Sequence, residues 1–156
     1  MTVRFQIKKH INLASAIFGF WFIVFILVIG LFFSGWREVG KAGNESNALH
    51  FISSFRTKQN KYAAENAGKF ASSFSEVVEY EKDFEDGKVL FSGYIFTLKV
   101  IEPTAEHPAF YSINAEPHVY YRLFQAGDRH FNFDSTLSTI KSTEENRQGN
   151  ADDSSM

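Results

Sequence analysis

The sequence contains no cysteine and only three prolines in 156 residues. Without thiols, the chain can form neither disulfides nor the cysteine-ligated sites of zinc and iron–sulfur proteins. Acidic residues are also missing from the first 37 positions, where Arg4, Lys8 and Lys9 precede an uncharged stretch at residues 11–36. All 18 acids and 13 of the 16 Lys and Arg residues lie after that stretch, where they sum to a net charge of −5. This balance argues against nucleic acid as a partner, because nucleic-acid binding needs a basic face.

Recognisable catalytic and cofactor-binding motifs are absent as well. The sequence holds no His-Glu-x-x-His, Gly-x-Ser-x-Gly, P-loop or dinucleotide fingerprint. Two of its five histidines, His107 and His118, flank a predicted strand and could converge, and His10 lies at the edge of the uncharged stretch. Such histidines are more often solvated than bound to metal or haem, so we expect no catalytic residue, metal, cofactor or small-molecule substrate. The chain is not predicted to be an enzyme.

The uncharged stretch at residues 11–36 has the length and composition of a transmembrane helix. From Ala14 to Phe33, 14 of 20 residues are Ile, Leu, Val or Phe, which favours insertion by about 4–8 kcal/mol. A helix of this length spans nearly 40 Å, more than the hydrocarbon core of about 30 Å. Signal peptides have apolar cores of only about 7–15 residues. We therefore predict an uncleaved, lipid-exposed anchor in a bacterial-type cytoplasmic membrane.

The charges that flank this segment predict its orientation. Positive residues favour the cytoplasmic side of a membrane, and the N-terminal flank carries them without any acid. We therefore expect residues 1–10 in the cytoplasm and the following domain outside it, in the periplasm. The residues expected to anchor the segment at the two membrane interfaces are Lys8, Lys9, Trp36 and Arg37.

Two patterns within the segment are candidates for helix packing. Small residues stand four apart in Ser15 with Gly19 and in Gly30 with Ser34, a spacing that lets a second helix approach closely. A stripe of large apolar residues also recurs at helical spacing, namely Phe18, Phe22, Phe25, Ile29 and Phe32. This stripe fits a packing face for a partner helix, a pigment or a quinone, but such a stripe is more often ordinary lipid-facing bulk.

A hinge and a second helix are predicted after the membrane segment. Gly40 and Gly43 disfavour helix, so we expect a break at residues 37–45. Apolar residues then recur at helical spacing from residue 46, which predicts an amphipathic helix that ends near Gly68.

The rest of the chain follows loop and strand patterns. Six acids within residues 76–86 predict a solvated loop, and the polar tail at residues 141–156 is expected to be disordered. Between them, β-branched and aromatic runs predict strands at Gly93–Ile101, Phe110–Ala115, Val119–Phe124 and His130–Phe133, with a short edge at Leu137–Ile140. The predicted fold class is α+β, with the amphipathic helix packed on a small antiparallel sheet.

The order of these parts resembles the type IV pilins and pseudopilins. Local similarities occur in the same order along the chain: Tyr62-Ala63-Ala64 in the helix, Gly93-Tyr94-Ile95-Phe96 in the first strand, Ala115-Glu116-Pro117 after the second, and Arg129-His130-Phe131 in a late strand. The resemblance covers residues 46–140 and implies a pilin-like extracytoplasmic domain. It also implies pilin-like or other integral membrane subunits as partners.

The N-terminus departs from the prepilin pattern. Lys8–Ala14 contains no Gly before a Phe-Thr-Leu-x-Glu start, and the membrane segment contains no glutamate. We expect a non-catalytic structural subunit of a larger membrane or envelope assembly. It could be a minor pilin or pseudopilin, which the resemblance of the domain favours, or an accessory subunit of a respiratory or photosynthetic complex, which the missing cleavage motif favours. A stand-alone extracytoplasmic binding module is a third alternative.

Overall fold

The structure is a computed structural model that describes residues 2–78, 84–85, 87–105, 107–120 and 124–156. The chain divides into two compact units, Met1–Val39 and Gly40–Met156. The first unit is helical, and the second combines helix with antiparallel sheet. The predicted α+β class is therefore confirmed.

One long helix, α1, begins at Thr2 and ends at Glu65. The predicted break at residues 37–45 is wrong, because Gly40 and Gly43 are both helical. Each glycine costs a helix only about 1 kcal/mol relative to alanine. Helical residues on both sides, together with side-chain contacts from residues 41–45 to a loop of the second unit, offset that cost.

The end of α1 matches the prediction. Ala67 and Gly68 adopt positive φ angles of 54° and 82°, and the Gly68 N–H donates to the Ala63 carbonyl at 2.8 Å. This left-handed termination satisfies a helix carbonyl that would otherwise lack a donor, and glycine adopts it without strain.

The second unit contains the sheet. Its strands are β1 (Phe84–Glu85), β2 (Lys88–Phe91), β3 (Tyr94–Ile101), β4 (Phe110–Pro117), β5 (Val119–Tyr120), β6 (Phe124–Gln125), β7 (His130–Asp134), β8 (Lys141–Thr143) and β9 (Ser154–Ser155). The main sheet has the order β1-β2-β3-β4-β7-β8-β9, and β5 pairs with β6 separately. Each of these pairs is antiparallel, which the meandering strand pattern predicts.

The core lies between α1 and one face of the sheet. Ala48, Phe51, Ile52 and Phe55 of the helix are buried, as the amphipathic pattern predicts. Side chains alternate across the sheet with a period of two, so every second residue of β3, β4 and β7 faces this core. The buried sheet residues in the core include Tyr94, Phe96, Tyr111, Ile113, Ala115, Phe131 and Phe133.

A buried glutamine ties the helix to the chain that follows it. Gln59 is fully buried, accepts from the Ala71 N–H at 2.9 Å and donates to the Ala71 carbonyl at 3.0 Å. The amide thus satisfies both backbone groups of a residue in the return loop, which explains a polar residue on the apolar face. Most of the predicted acidic loop, at positions 79–83 and 86, lies outside the described residues.

Two of the strand predictions need correction. The predicted third strand is split into β5 and β6, which pair outside the main sheet, and residues 121–123 lie outside the described part. Leu137–Ile140 is a turn region, because the Leu137 N–H donates to the Asp134 carbonyl at 2.9 Å, and the edge strand is β8 just after it.

The prediction of a disordered tail at residues 141–156 is also wrong. β8 pairs with β7, and β9 pairs with β8 in the register Lys141↔Ser155 and Ser142↔Ser154. The tail has no large apolar residue apart from Met156, so its composition predicts disorder. Its order comes from backbone pairing to an existing sheet edge and from an ion pair between Arg147 and Asp153.

Candidate functional site

The first unit presents an exposed apolar helix. The part of α1 that begins at Ser15 is long and apolar enough to cross a membrane by length and composition. Its large side chains are exposed, including Phe18 at 74%, Phe22 at 56% and Phe25 at 61%. Exposed apolar surface of this extent is costly in water and stable in lipid or against another helix. This segment is the first candidate functional surface.

The four small residues of the two predicted pairs share one face of α1. At 100° per residue, Ser15, Gly19, Gly30 and Ser34 fall within an arc of about 100°. No heavy atom approaches within 4 Å of a Cβ built on Gly19 or Gly30. The Ser34 hydroxyl donates to the Leu31 carbonyl at 2.8 Å, which satisfies the hydroxyl within the helix. The large apolar stripe of Phe18, Phe22 and Phe25 occupies the adjacent face.

The predicted interfacial anchors lie near the two ends of this segment. Trp36 is 70% exposed, and its ring centroid lies 5.7 Å from that of Phe32. Arg37 follows it on the helix. Lys8 and Lys9 lie within α1, but their side chains are outside the described part of the chain. The exposure of Trp36 suits an aromatic residue at a membrane interface.

Within the second unit, three helical side chains hold the β6–β7 loop. The Lys41 ammonium contacts the Asp128 carboxylate at 2.9 Å, and the Asn44 amide donates to the Ala126 carbonyl at 2.9 Å. Glu45 accepts from the backbone N–H groups of Asp128 and Arg129. We call Lys41, Asn44, Glu45 and residues 126–129 the loop clamp. Sequence reasoning missed it, because these polar residues lie in the predicted hinge.

Tyr94 supports the loop clamp from the sheet. It is fully buried, and its hydroxyl donates to the Arg129 carbonyl at 2.9 Å. Burial, with the nearby carboxylates of Glu45 and Asp128, raises the pKa of this hydroxyl above its ordinary value. A Cβ on Gly127 would lie only 2.9 Å from the Tyr94 ring carbon Cζ. The glycine is therefore required where the loop crosses the ring.

A groove with an aromatic floor runs along α1 beside β2. It has a volume of about 210 Å³, and its floor includes Phe51, Phe55 and Phe91. Its polar rim includes His50 and Lys58, which lie on exposed turns of the helix. Its volume suits one apolar side chain of a partner rather than a cofactor, since small-molecule sites typically have about 300–1,000 Å³.

His107 and His118, the two histidines that could converge, do not form a shared site. His107 precedes β4 and His118 follows it, so an eight-residue strand of about 27 Å separates them. In the described part of the chain, no three His, Asp or Glu side chains are grouped to hold a metal ion. Comparisons of the chain with protein-family models, curated proteins and solved structures find no match. Function is therefore inferred from the residues of this chain alone.

Proposed function

We propose that the chain is a single-pass membrane protein whose α+β domain is a non-catalytic structural subunit of a larger membrane assembly. The observation that carries this proposal is the exposed apolar surface of α1 from Ile17 to Phe33. No soluble domain leaves so long an apolar helix uncovered without cost. Lipid or a partner helix would bury that surface, and the folded second unit would remain in water.

The proposed orientation places residues 1–10 in the cytoplasm and the second unit in the periplasm. Arg4, Lys8 and Lys9 support it through the positive-inside tendency. One helix that is apolar in its first part and packs on an antiparallel sheet in its second part supports a pilin-like role. The missing prepilin motif in Lys8–Ala14 supports an accessory subunit of another membrane complex over a pilus subunit.

Anchoring and orientation can be tested with single introduced thiols, because the natural chain has no cysteine. Thr2→Cys marks the N-terminus, and Ser75→Cys marks an exposed position of the second unit. In cells with a permeabilised outer envelope, a membrane-impermeant maleimide should label Ser75→Cys, and it should label Thr2→Cys only after lysis. Release of the chain by alkaline carbonate would overturn anchoring, and the reverse labelling pattern would overturn the orientation.

The assembly itself can be tested by purifying a C-terminally tagged chain from native membranes in mild detergent. Co-purification of an assembly ATPase, a platform protein or pilins would identify a pilus or secretion role. Large integral subunits that carry haem, quinone or chlorophyll would identify an accessory role. Recovery of the chain alone under conditions that preserve other membrane complexes would overturn the structural-subunit proposal.

A second candidate function is a binding module that uses the groove beside β2. The aromatic floor formed by Phe51 and Phe91 favours it. The variant Ser54→Trp would fill this groove from its rim, and Gly30→Leu would alter the membrane face instead. Loss of partners from Ser54→Trp alone favours the binding module, whereas loss from Gly30→Leu alone favours assembly through the helix.

A further inference from the structure

The C-terminal residues 147–156 pass from the second face of the sheet, where Gly149 packs, to its edge, where β9 pairs with β8, and we call them the strap. Gly149 is buried, and a Cβ built on it would lie 3.1 Å from the Phe131 carbonyl carbon and 3.3 Å from the Asn132 Cβ. In β7, Phe131 and Phe133 point into the core, so Asn132 and His130 point to the opposite face. The strap therefore contacts the face of β7 that carries Asn132 and His130.

Polar contacts and short strand pairing close the strap. Arg147 forms an ion pair with Asp153, whose second oxygen also accepts from the Asn150 N–H at 2.7 Å. Beyond this ring, β9 pairs with β8 over two residue pairs, and the Met156 N–H donates to the Ile140 carbonyl at 3.0 Å. The strap contributes almost no apolar burial, so opening it exposes little hydrophobic surface. Segments held in this way open at low free-energy cost.

His130 lies on the same face of β7 as Asn132, within electrostatic range of Arg147 of the strap. Its side chain is 7% exposed, and its Nδ1 atom has no hydrogen-bond partner among the described residues. Both nitrogens of a protonated imidazole are donors. Protonation with the strap closed would therefore leave a buried, charged N–H group without an acceptor.

The charged groups around His130 act in opposite directions. Glu116 of β4 favours the protonated ring, and Arg147 of the strap disfavours it. The other charged groups on adjoining chain segments are Arg129, which precedes His130, Lys141, Glu144 and Glu145 on and just after β8, and Asp152 and Asp153 of the strap. Burial is the largest influence and lowers the pKa of His130 below its ordinary value.

We propose that the strap is a pH-sensitive latch that protonation of His130 releases from the sheet. Release places the imidazolium in water, moves it away from Arg147 and leaves the edge of β8 unpaired.

The direction of the pH dependence follows from the lowered pKa. The closed state binds the His130 proton less well than the open state, in which the ring has its ordinary pKa of about 6.5. Closure is therefore complete above this value and weakens as the pH falls below it. Because opening is linked to uptake of one proton, the ratio of open to closed strap changes by at most about tenfold per pH unit.

A nitroxide label on Ser154→Cys in the full chain, in detergent micelles, measures the opening. Ser154 is exposed, and the thiol is unique in this chain. The mobile component of the spectrum should grow as the pH falls from about 8 to about 5, with its midpoint below about 6.5. A label on Ser75→Cys, outside the strap, should not respond. An unchanged Ser154 spectrum over this range would overturn the proposal.

Variants assign the response to one histidine. His130→Gln should abolish it, with the label immobile at every pH, and His50→Gln, on the exposed helix, should leave it intact. A pH response that persists in His130→Gln would contradict the latch. If His130→Gln does not fold, an NMR titration of the His130 imidazole in the wild-type chain decides, because the ring must take up its proton over the same pH range in which the label becomes mobile. A ring that titrates outside that range would then overturn the proposal.

Discussion

The Oε1 atom of Glu45 on α1 accepts a hydrogen bond from the backbone N–H of Asp128 at 2.9 Å. The same atom accepts from the Arg129 N–H at 3.3 Å, and the Glu45 side chain is only 15% exposed. One carboxylate thus fixes two backbone groups in the β6–β7 loop, 83 residues later in the chain. Hydrogen bonds to a charged, partly buried group are stronger than those between neutral groups.

Glu45→Ala should therefore lower the free energy of unfolding by about 1–2 kcal/mol, because two loop N–H groups lose their acceptor. Chemical denaturation followed by near-UV circular dichroism measures the change. Glu65→Ala is the matched control, since Glu65 is exposed and its ion pair with Lys61 is 3.9 Å long. It should cost less than about 0.5 kcal/mol. Equal losses in both variants would contradict the loop clamp.

Two buried tyrosines should respond oppositely to loss of their hydroxyls. Tyr94→Phe removes a donor to the Arg129 carbonyl and should destabilise the domain by about 1 kcal/mol. The Tyr111 hydroxyl has no partner among the described residues, and burial raises its pKa to about 12. Tyr111→Phe should be neutral or stabilising, because it removes an unpaired buried polar atom. Thermal unfolding of the two variants in parallel tests the pair, and a larger loss from Tyr111→Phe would refute this account.

Two glycine substitutions should change the free energy of unfolding in opposite directions. Gly127→Ala would push a methyl group against Tyr94 and should destabilise the domain by more than about 1 kcal/mol. Gly43 is helical and has no heavy atom within 4 Å of a built Cβ. Gly43→Ala should stabilise the chain by about 0.5–1 kcal/mol. Denaturation midpoints measure both effects, and destabilisation by Gly43→Ala would show that the helix through residues 37–45 is not the stable conformation.

Glu76 should make the domain sensitive to acid. Hydrogen bonds, foremost from the Ser72 hydroxyl at 2.7 Å and then from Tyr62 and Ser73, lower the pKa of this carboxyl. A lowered pKa means that Glu76 stabilises the fold above about pH 4.3, the ordinary value, and that this stabilisation is lost as the pH falls through the folded-state pKa. At neutral pH the wild-type protein should have a higher free energy of unfolding than Glu76→Gln, and this difference should disappear in acid. In Ser72→Ala, which lacks the main hydrogen bond to Glu76, the stabilisation should be lost at a higher pH than in wild type. A stability difference between wild type and Glu76→Gln that does not change with pH would refute the prediction.

The face of small residues on the apolar part of α1 predicts where a partner helix packs. Gly30→Leu should reduce co-purification of integral partners several-fold, because the added side chain holds the two helices apart. Val28→Leu is the control, since position 28 lies about 200° around the helix from position 30 and the substitution also introduces leucine. Quantitative mass spectrometry of detergent-purified complexes gives the ratio. Equal recovery of partners from Gly30→Leu and wild type would exclude this face as the interface.

Some features followed directly from sequence patterns. The β-branched and aromatic runs at Gly93–Ile101 and Phe110–Ala115 predicted β3 and β4 to within two residues, because such side chains favour strands with one buried face. Gly68 predicted the end of α1, because a left-handed residue stops a helix locally. The uncharged run at residues 11–36 predicted the exposed apolar helix, because its composition alone sets its preference for lipid.

Other features depended on contacts between residues far apart in the chain. Gly40 and Gly43 predicted a break, whereas Lys41, Asn44 and Glu45 bind a loop more than 80 residues away. Nothing in the local pattern around them indicates that loop. The tail at residues 141–156 departs from its predicted disorder for the same reason. Strand β9 forms only by pairing with the edge of β8, and Arg147 is held by its ion pair with Asp153.

The sequence by itself therefore determined the apolar part of α1, its amphipathic part, the main strands and the absence of thiol chemistry. These depend on composition and on short-range periodicity, which each segment carries regardless of its neighbours. Only the tertiary structure decided the continuity of α1, the loop clamp, the groove beside β2 and the strap. Each of these arises where polar groups from distant segments satisfy one another, and such pairing exists only once the sheet has formed.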